Sequence, residues 1–150
     1  MLVRLLFTTD DSPISQYIKM RQGPASLWTH VGVLLDSRHI LEATPMGGVR
    51  SFPINRRVKE AELYAFRQYN CNEIQDYQSL IGLPYDFGWP FNRLPNAGSF
   101  NCATLLGYVL NLKGPRHPRL SVQELWDLGS PLTIEHNAAS LGVFFDFLQK

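Results

Sequence analysis

A cysteine, a histidine and a carboxylate can perform nucleophilic acyl chemistry when the fold brings them together, and this chain carries a candidate for each at Cys102, His30 and Glu42. The segment Gly98-Ser99-Phe100-Asn101-Cys102-Ala103-Thr104-Leu105-Leu106-Gly107-Tyr108-Val109-Leu110 reads as loop, cap, then helix. Asn101 or Ser99 can cap free backbone N–H groups, and Leu105, Leu106, Val109 and Leu110 recur at helical spacing. Cys102 therefore falls in the first turn, where the positive end of the helix dipole favours thiolate, the nucleophilic form. A histidine can take the thiol proton, and an acid beside it can hold the ring in the useful tautomer.

The elements that must position these groups follow from local pattern. Leu2 to Phe7 reads as a strand. Ser12 and Pro13 open a helix, as cap and first helical residue, which runs to about Arg21 and stops at Gly23-Pro24. His30 to Asp36 and His39 to Ala43 read as two strands joined by the turn residues Asp36-Ser37-Arg38, making a hairpin. His30 and Glu42 then lie close to opposite each other, within mutual reach if they share a face. A slip of one residue would turn Glu42 to the other face and leave it a surface carboxylate.

Val49 to Ile54 and Glu62 to Arg67 read as further strands, with the basic run Arg56-Arg57-Val58-Lys59 between them as a solvated turn. Asn72 to Ile81 reads as a helix ended by Gly82, and Leu83 to Gly98 as an ordered loop. Ser121, with Glu124 three residues on, opens another short helix with a capping box. Gly114 to Pro118 ends the Cys102 helix, and the apolar tail from Ala139 to Leu148 can dock as strand or helix. The expected fold class is α+β, a small antiparallel sheet packed against helices, in a single domain over 1–150.

Composition narrows the function classes. The chain has 150 residues, 45% hydrophobic and 18% charged, with a net charge of +1. That suits one globular domain with a real core. No basic stripe suggests nucleic acid as a partner. Two cysteines, Cys71 and Cys102, are too few for a disulfide scaffold or a zinc finger. No segment has the length of a transmembrane helix. The start, Met1 to Asp11, is a poor signal peptide, because its apolar stretch is short and Asp10-Asp11 follows at once. Cytoplasmic synthesis is expected, with export by a signal-independent route or association with a virion left open.

Several segments in order resemble one superfamily. Trp28-Thr29-His30-Val31-Gly32-Val33-Leu34-Leu35, then Ile40-Leu41-Glu42-Ala43, then Gly47-Gly48-Val49-Arg50-Ser51-Phe52-Pro53-Ile54, then Leu83-Pro84-Tyr85-Asp86-Phe87, and finally Asn101-Cys102-Ala103-Thr104-Leu105 resemble the circularly permuted papain-like (NlpC-type) cysteine hydrolases. YiiX-like bacterial proteins and the lecithin retinol acyltransferase group belong there. The resemblance covers about residues 1–110. It implies Cys102 as nucleophile, His30 as general base and Glu42 as the third polar residue. The acyltransferase branch often has a second His where Glu42 stands, so Glu42 points toward the bacterial hydrolase branch. Ala103-Thr104 departs from the Ser-Glu or Glu-His that often follows the cysteine.

The resemblance implies hydrolysis of an amide or peptide bond, most readily in peptidoglycan stem peptides. An acyl lipid or ester substrate for the same Cys-His pair, or a non-catalytic binding module, are the alternatives. Trp28, Tyr85, Trp89 and Asn101 are candidates for contacting substrate, although packing accounts for the aromatic residues equally well. His39, His117 and His136 read as surface residues and Cys71 as structural. No cofactor and no metal is expected.

Overall fold

A computed structural model describes residues 2–23, 25–70, 77–85, 101–110, 121–128 and 130–131. The chain builds strand β1 (Leu2–Thr9), helix α1 (Pro13–Gln22), strands β2 (His30–Leu34), β3 (His39–Thr44) and β4 (Gly48–Pro53), helix α2 (Ile54–Glu60) and strand β5 (Leu63–Asn70). A 3₁₀ turn (Gln78–Leu80), helices α3 (Cys102–Val109) and α4 (Val122–Leu128), and a short strand β6 (Ser130–Pro131) follow. The strands form one six-stranded sheet in the order β4-β3-β2-β1-β5-β6. Every neighbouring pair is antiparallel. The fold class is α+β, as the sequence pattern implies.

Alternation along the strands divides the sheet into two faces. Val3, Leu5 and Phe7 of β1, Val31 and Val33 of β2, Leu41 and Ala43 of β3 and Val49 of β4 pack into one large apolar cluster. Leu105, Leu106 and Val109 of α3 and Leu125 of α4 complete it. The residues between them face the other way. Leu6, Ile40, Phe52, Tyr64 and Phe66 form a smaller cluster closed by Ile54 and Val58 of α2. Tyr69 pins α4 to β5 by donating its hydroxyl hydrogen to the Leu125 carbonyl.

Local chemistry sets the element ends. Ser12 caps α1 by accepting from Ser15 N at 3.2 Å, Pro13 takes the first helical position, and Gly23 ends the helix at φ 111°. Gly48 opens β4 at φ 61°, and a Cβ there would meet the Leu83 carbonyl oxygen at 2.5 Å. That close approach lets Leu83 accept from Val49 N, while Gly82 N donates to the Val49 carbonyl. The strap leading to Tyr85 is thereby tied to the edge of the sheet.

Two expectations are corrected. Arg56 to Lys59 is helical and half of it is not solvated: α2 buries Ile54 and Val58, which stand four residues apart on one face. Within 72–81, residues 77–81 hold a three-residue 3₁₀ turn rather than an α-helix, ending ahead of Gly82 at φ 97°. Residues 72–76 of that segment, residues 86–98 of the expected loop, the Gly114–Pro118 stop and the tail from 139 to 148 lie outside the described residues.

Candidate active site

The hairpin β2–β3 pairs Val33 with Leu41 and Leu34 with Ile40. Continued toward the open end, this register sets Glu42 across from Gly32, and His30 on the diagonal two residues further along β2. Both lie on the face of the smaller cluster, and diagonal neighbours are within reach of long side chains. Gly32 offers no side chain between them. His30 Nε2 lies 3.0 Å from Glu42 Oε1. A carboxylate only accepts, so Nε2 carries the hydrogen and Nδ1 is left for another partner.

Glu42 is fully buried, and its charge is met by two arginines. Arg57 of α2, 13% exposed, grips it with two hydrogen bonds, Nε to Oε1 at 2.9 Å and Nη2 to Oε2 at 2.6 Å. Arg50 is the direct cross-strand partner of Glu42 and donates from Nε to Oε2 at 2.9 Å. With His30, four hydrogen bonds saturate the carboxylate. Burial pushes the Glu42 carboxyl upward, but the charge and hydrogen bond of His30 and those of Arg57 hold it well below the usual carboxylate range. Arg50, Arg56 and Arg57 also lie over the Phe52 ring, at 4.1, 5.0 and 5.1 Å from its centroid.

Cys102 is the first residue of α3 and is 5% exposed. Asn101 is the cap: its side chain accepts from Thr104 N at 2.8 Å, and Thr104 Oγ1 accepts from Asn101 N at 3.0 Å. This reciprocal box fixes where the helix starts and so where the thiol sits. Helix α3 lies across β2 and β3 on the face of the large cluster. His30 stands at the first position of β2, at the strand end, hydrogen-bonded to Glu42 and close enough to the Cys102 side chain for the thiol to raise its proton affinity. Burial lowers the affinity of His30 for a proton. The Glu42 charge, the Cys102 side chain and the hydrogen bond to Glu42 outweigh that, against opposition from Arg57, and lift the ring to about 8. The structure thus joins His30 to Glu42 and brings the Cys102 end of α3 near them through the docking of α3 on β2 and β3.

The other expected site residues divide. Asn101 lies beside the thiol, buried. Tyr85 is buried in the same cluster as Cys102. Trp28 is buried in an aromatic group, 4.8 Å from the Trp126 ring and 6.2 Å from Phe7, so its ring fills the core. Trp89, Cys71, His117 and His136 lie outside the described residues. His39 is partly exposed at the hairpin turn, paired with Asp36 at 3.2 Å.

Reading the sequence missed Arg57 and Arg50; the spacing of Ile54 and Val58 was the signal that α2 exists. It also missed Asp10. Burial raises that carboxyl, but hydrogen bonds from Ser12 and Ser15 and the nearby His30 charge bring it below its ordinary value.

Fold and site together define an α+β protein with a cysteine, histidine and glutamate gathered at a helix start. No protein-family model matches the chain, and no match was found among curated proteins. Among solved structures it is similar to the metalloprotein YiiX from Escherichia coli O157:H7, a DUF1105 protein, with a TM-score of 0.57 and 18% identity over 91% of this chain and 98% of that one. At that identity the likeness is one of fold. The neighbour is described as a metalloprotein, but the site here does not fit a metal. Both Glu42 oxygens are occupied by guanidinium groups, and no group of three or more His, Cys, Asp or Glu among the described residues could hold an ion. Among the described residues no helix is long and apolar enough to cross a membrane.

Proposed function

We propose that this chain is a cysteine hydrolase of the circularly permuted papain-like type, acting on an amide bond. The observation that carries this reading is the His30 ring, held on one side by a buried, doubly clamped carboxylate and influenced on the other by the nearby side chain of a cysteine that opens a helix. Two guanidinium groups face one buried carboxylate, so an anion at Cys102 meets a surplus of positive charge.

His30 Nδ1 takes the Cys102 proton, and the resulting imidazolium is stabilised by Glu42. The thiolate adds to the substrate carbonyl carbon, and the carbonyl electron pair moves onto oxygen. Collapse re-forms the C=O bond and breaks the C–N bond, with the leaving amine taking the proton from His30. Water then adds to the thioester, giving its proton to His30, and expulsion of the Cys102 thiolate releases the acid. No step involves a metal. The resemblance of residues 1–110 to permuted papain-like hydrolases points to peptidoglycan stem peptides as the substrate class.

Alkylation by iodoacetamide tests the nucleophile in a Cys71→Ala background. Cys102 should react at pH 7 faster than in the His30→Ala variant by roughly tenfold. Equal rates in the two proteins would overturn the hydrolase reading. Peptidoglycan fragments and phospholipid vesicles, offered in parallel, then identify the bond. Release of free stem peptide supports the amide assignment, and fatty-acid release alone would replace it with an ester.

A further inference from the structure

The start of α3 carries three hydrogen-bond donors that its own capping box leaves unsatisfied. A helix start leaves four N–H groups without intrahelical partners. The capping box satisfies two of them, Asn101 N on Thr104 Oγ1 and Thr104 N on Asn101 Oδ1. Cys102 N–H and Ala103 N–H remain. The third donor is Asn101 itself. Its residue is only 3% exposed, and Nδ2 is buried with no hydrogen-bond partner. The amide orientation is fixed, because only Oδ1 can accept from Thr104 N. A buried amide N–H₂ without an acceptor destabilises the fold, and no folding requirement explains it, since serine or aspartate caps a helix as well.

We infer that Asn101 Nδ2, together with the Cys102 N–H, forms the oxyanion site of the reaction and that Asn101 is a catalytic residue. The inference rests on the hydrolase reading above. When Cys102 Sγ bonds to the carbonyl carbon, the displaced π pair settles on oxygen, and the two donors receive that charge. On collapse the pair returns to the C=O bond as the leaving group departs with the His30 proton. Asn101 and Cys102 are adjacent in the chain and both are buried, 3% and 5% exposed. Donors shielded from water and fixed in advance contribute most where charge develops.

The test exploits two reactions of the same thiol. Alkylation by iodoacetamide displaces iodide and forms no oxyanion, whereas acylation by p-nitrophenyl acetate passes through one. Asn101→Ser and Asn101→Asp both keep a capping oxygen and both lose the amide donor. We expect thermal midpoints near wild type, alkylation of Cys102 at pH 7 within about twofold of wild type, and an acylation burst slowed by roughly 100-fold or more. Having two caps guards against one variant failing to fold. An acylation rate unchanged in a folded variant overturns the assignment of Asn101, as does a wild-type enzyme that alkylates in a His30-dependent way yet shows no acylation burst. Loss of alkylation and acylation in equal measure assigns Asn101 to helix capping only and overturns the proposal. Wild-type alkylation that is insensitive to His30→Ala instead sinks the hydrolase reading on which it rests.

Discussion

The hairpin β2–β3 carries two histidine–carboxylate pairs, one at each end, and they differ in almost everything but their chemistry. At the turn, His39 Nδ1 lies 3.2 Å from Asp36, with side-chain exposures of 45% and 59%. At the open end, His30 Nε2 lies 3.0 Å from Glu42, with exposures of 17% and 0%. Asp36 spends its oxygens on the turn, accepting from Arg38 N and His39 N, and water screens what is left. Glu42 is fully buried and is saturated by Arg57, Arg50 and His30. The same pair of residue types makes a turn in one place and an oriented base in the other. Burial and the second layer of partners decide which.

The largest effect that would break this contrast concerns activity. His30→Ala should lower amide hydrolysis by about 10²–10⁴-fold, the usual contribution of a positioned general base. His39→Ala should leave it within about twofold of wild type, since it is not near the thiol. Comparable losses in a steady-state assay of the two variants would mean that the pairs are not functionally distinct.

Stability separates the pairs next. Arg57→Met strips a bidentate partner from a buried charge and should cost about 3 kcal/mol or more in urea denaturation. A cost near zero would show that Glu42 is not held by Arg57. Arg50, 34% exposed, should contribute less, about 1 kcal/mol on substitution by alanine. A smaller change is expected from Glu42→Gln in the titration of His30. The native ring is raised above 6.5 to about 8, so its protonation stabilises the fold fully below about pH 6.5 and that stabilisation fades as pH rises through 8. Removing the Glu42 charge leaves burial to dominate, and the His30 midpoint read by NMR should move down. The loss of stability between pH 6.5 and 8 should flatten with it. A midpoint that stays near 8 would move the cause away from Glu42. The Glu42 carboxyl itself, depressed in the fold, stabilises above its unfolded value and gives that up only as pH falls well into the acid range. The smallest effect belongs to the surface pair: Asp36→Asn should shift stability by no more than about 0.5 kcal/mol, and a larger cost would assign that oxygen pair a structural role beyond the turn.

Much of the frame was legible because its signals are short-ranged. Ser12 and Pro13 announce a helix, the alternation around Val31 and Val33 a strand, and Asn101 followed by Cys102 and leucines a second helix. Glu42 was legible as a partner for His30, although the register differs from a directly facing pair: the hairpin sets Glu42 across from Gly32, and the two residues meet on the diagonal. Helix α2 was not legible. Its cap position is Pro53, with no side-chain cap, and three basic residues crowd its surface. The apolar pair Ile54 and Val58 was too short a pattern to outweigh them. Arg57 therefore read as solvated, when it is the principal partner of the buried carboxylate. Trp28 read as a candidate for contacting substrate, yet it precedes the strand and its ring packs in the aromatic core.

By itself the sequence determined the residue types, the helix starts at Ser12 and Asn101, the period-two pattern that sorts the strands into faces, and a thiol at a helix start. Each follows from hydrogen bonds and periodicities spanning two to four residues. The tertiary structure alone decided that His30 lies near Cys102, that Arg57 closes on Glu42, and that Asn101 Nδ2 is left without an acceptor. Those outcomes depend on how a helix from one part of the chain docks on a sheet from another. Such contacts are set by register and burial over the whole sheet, and no local pattern encodes them.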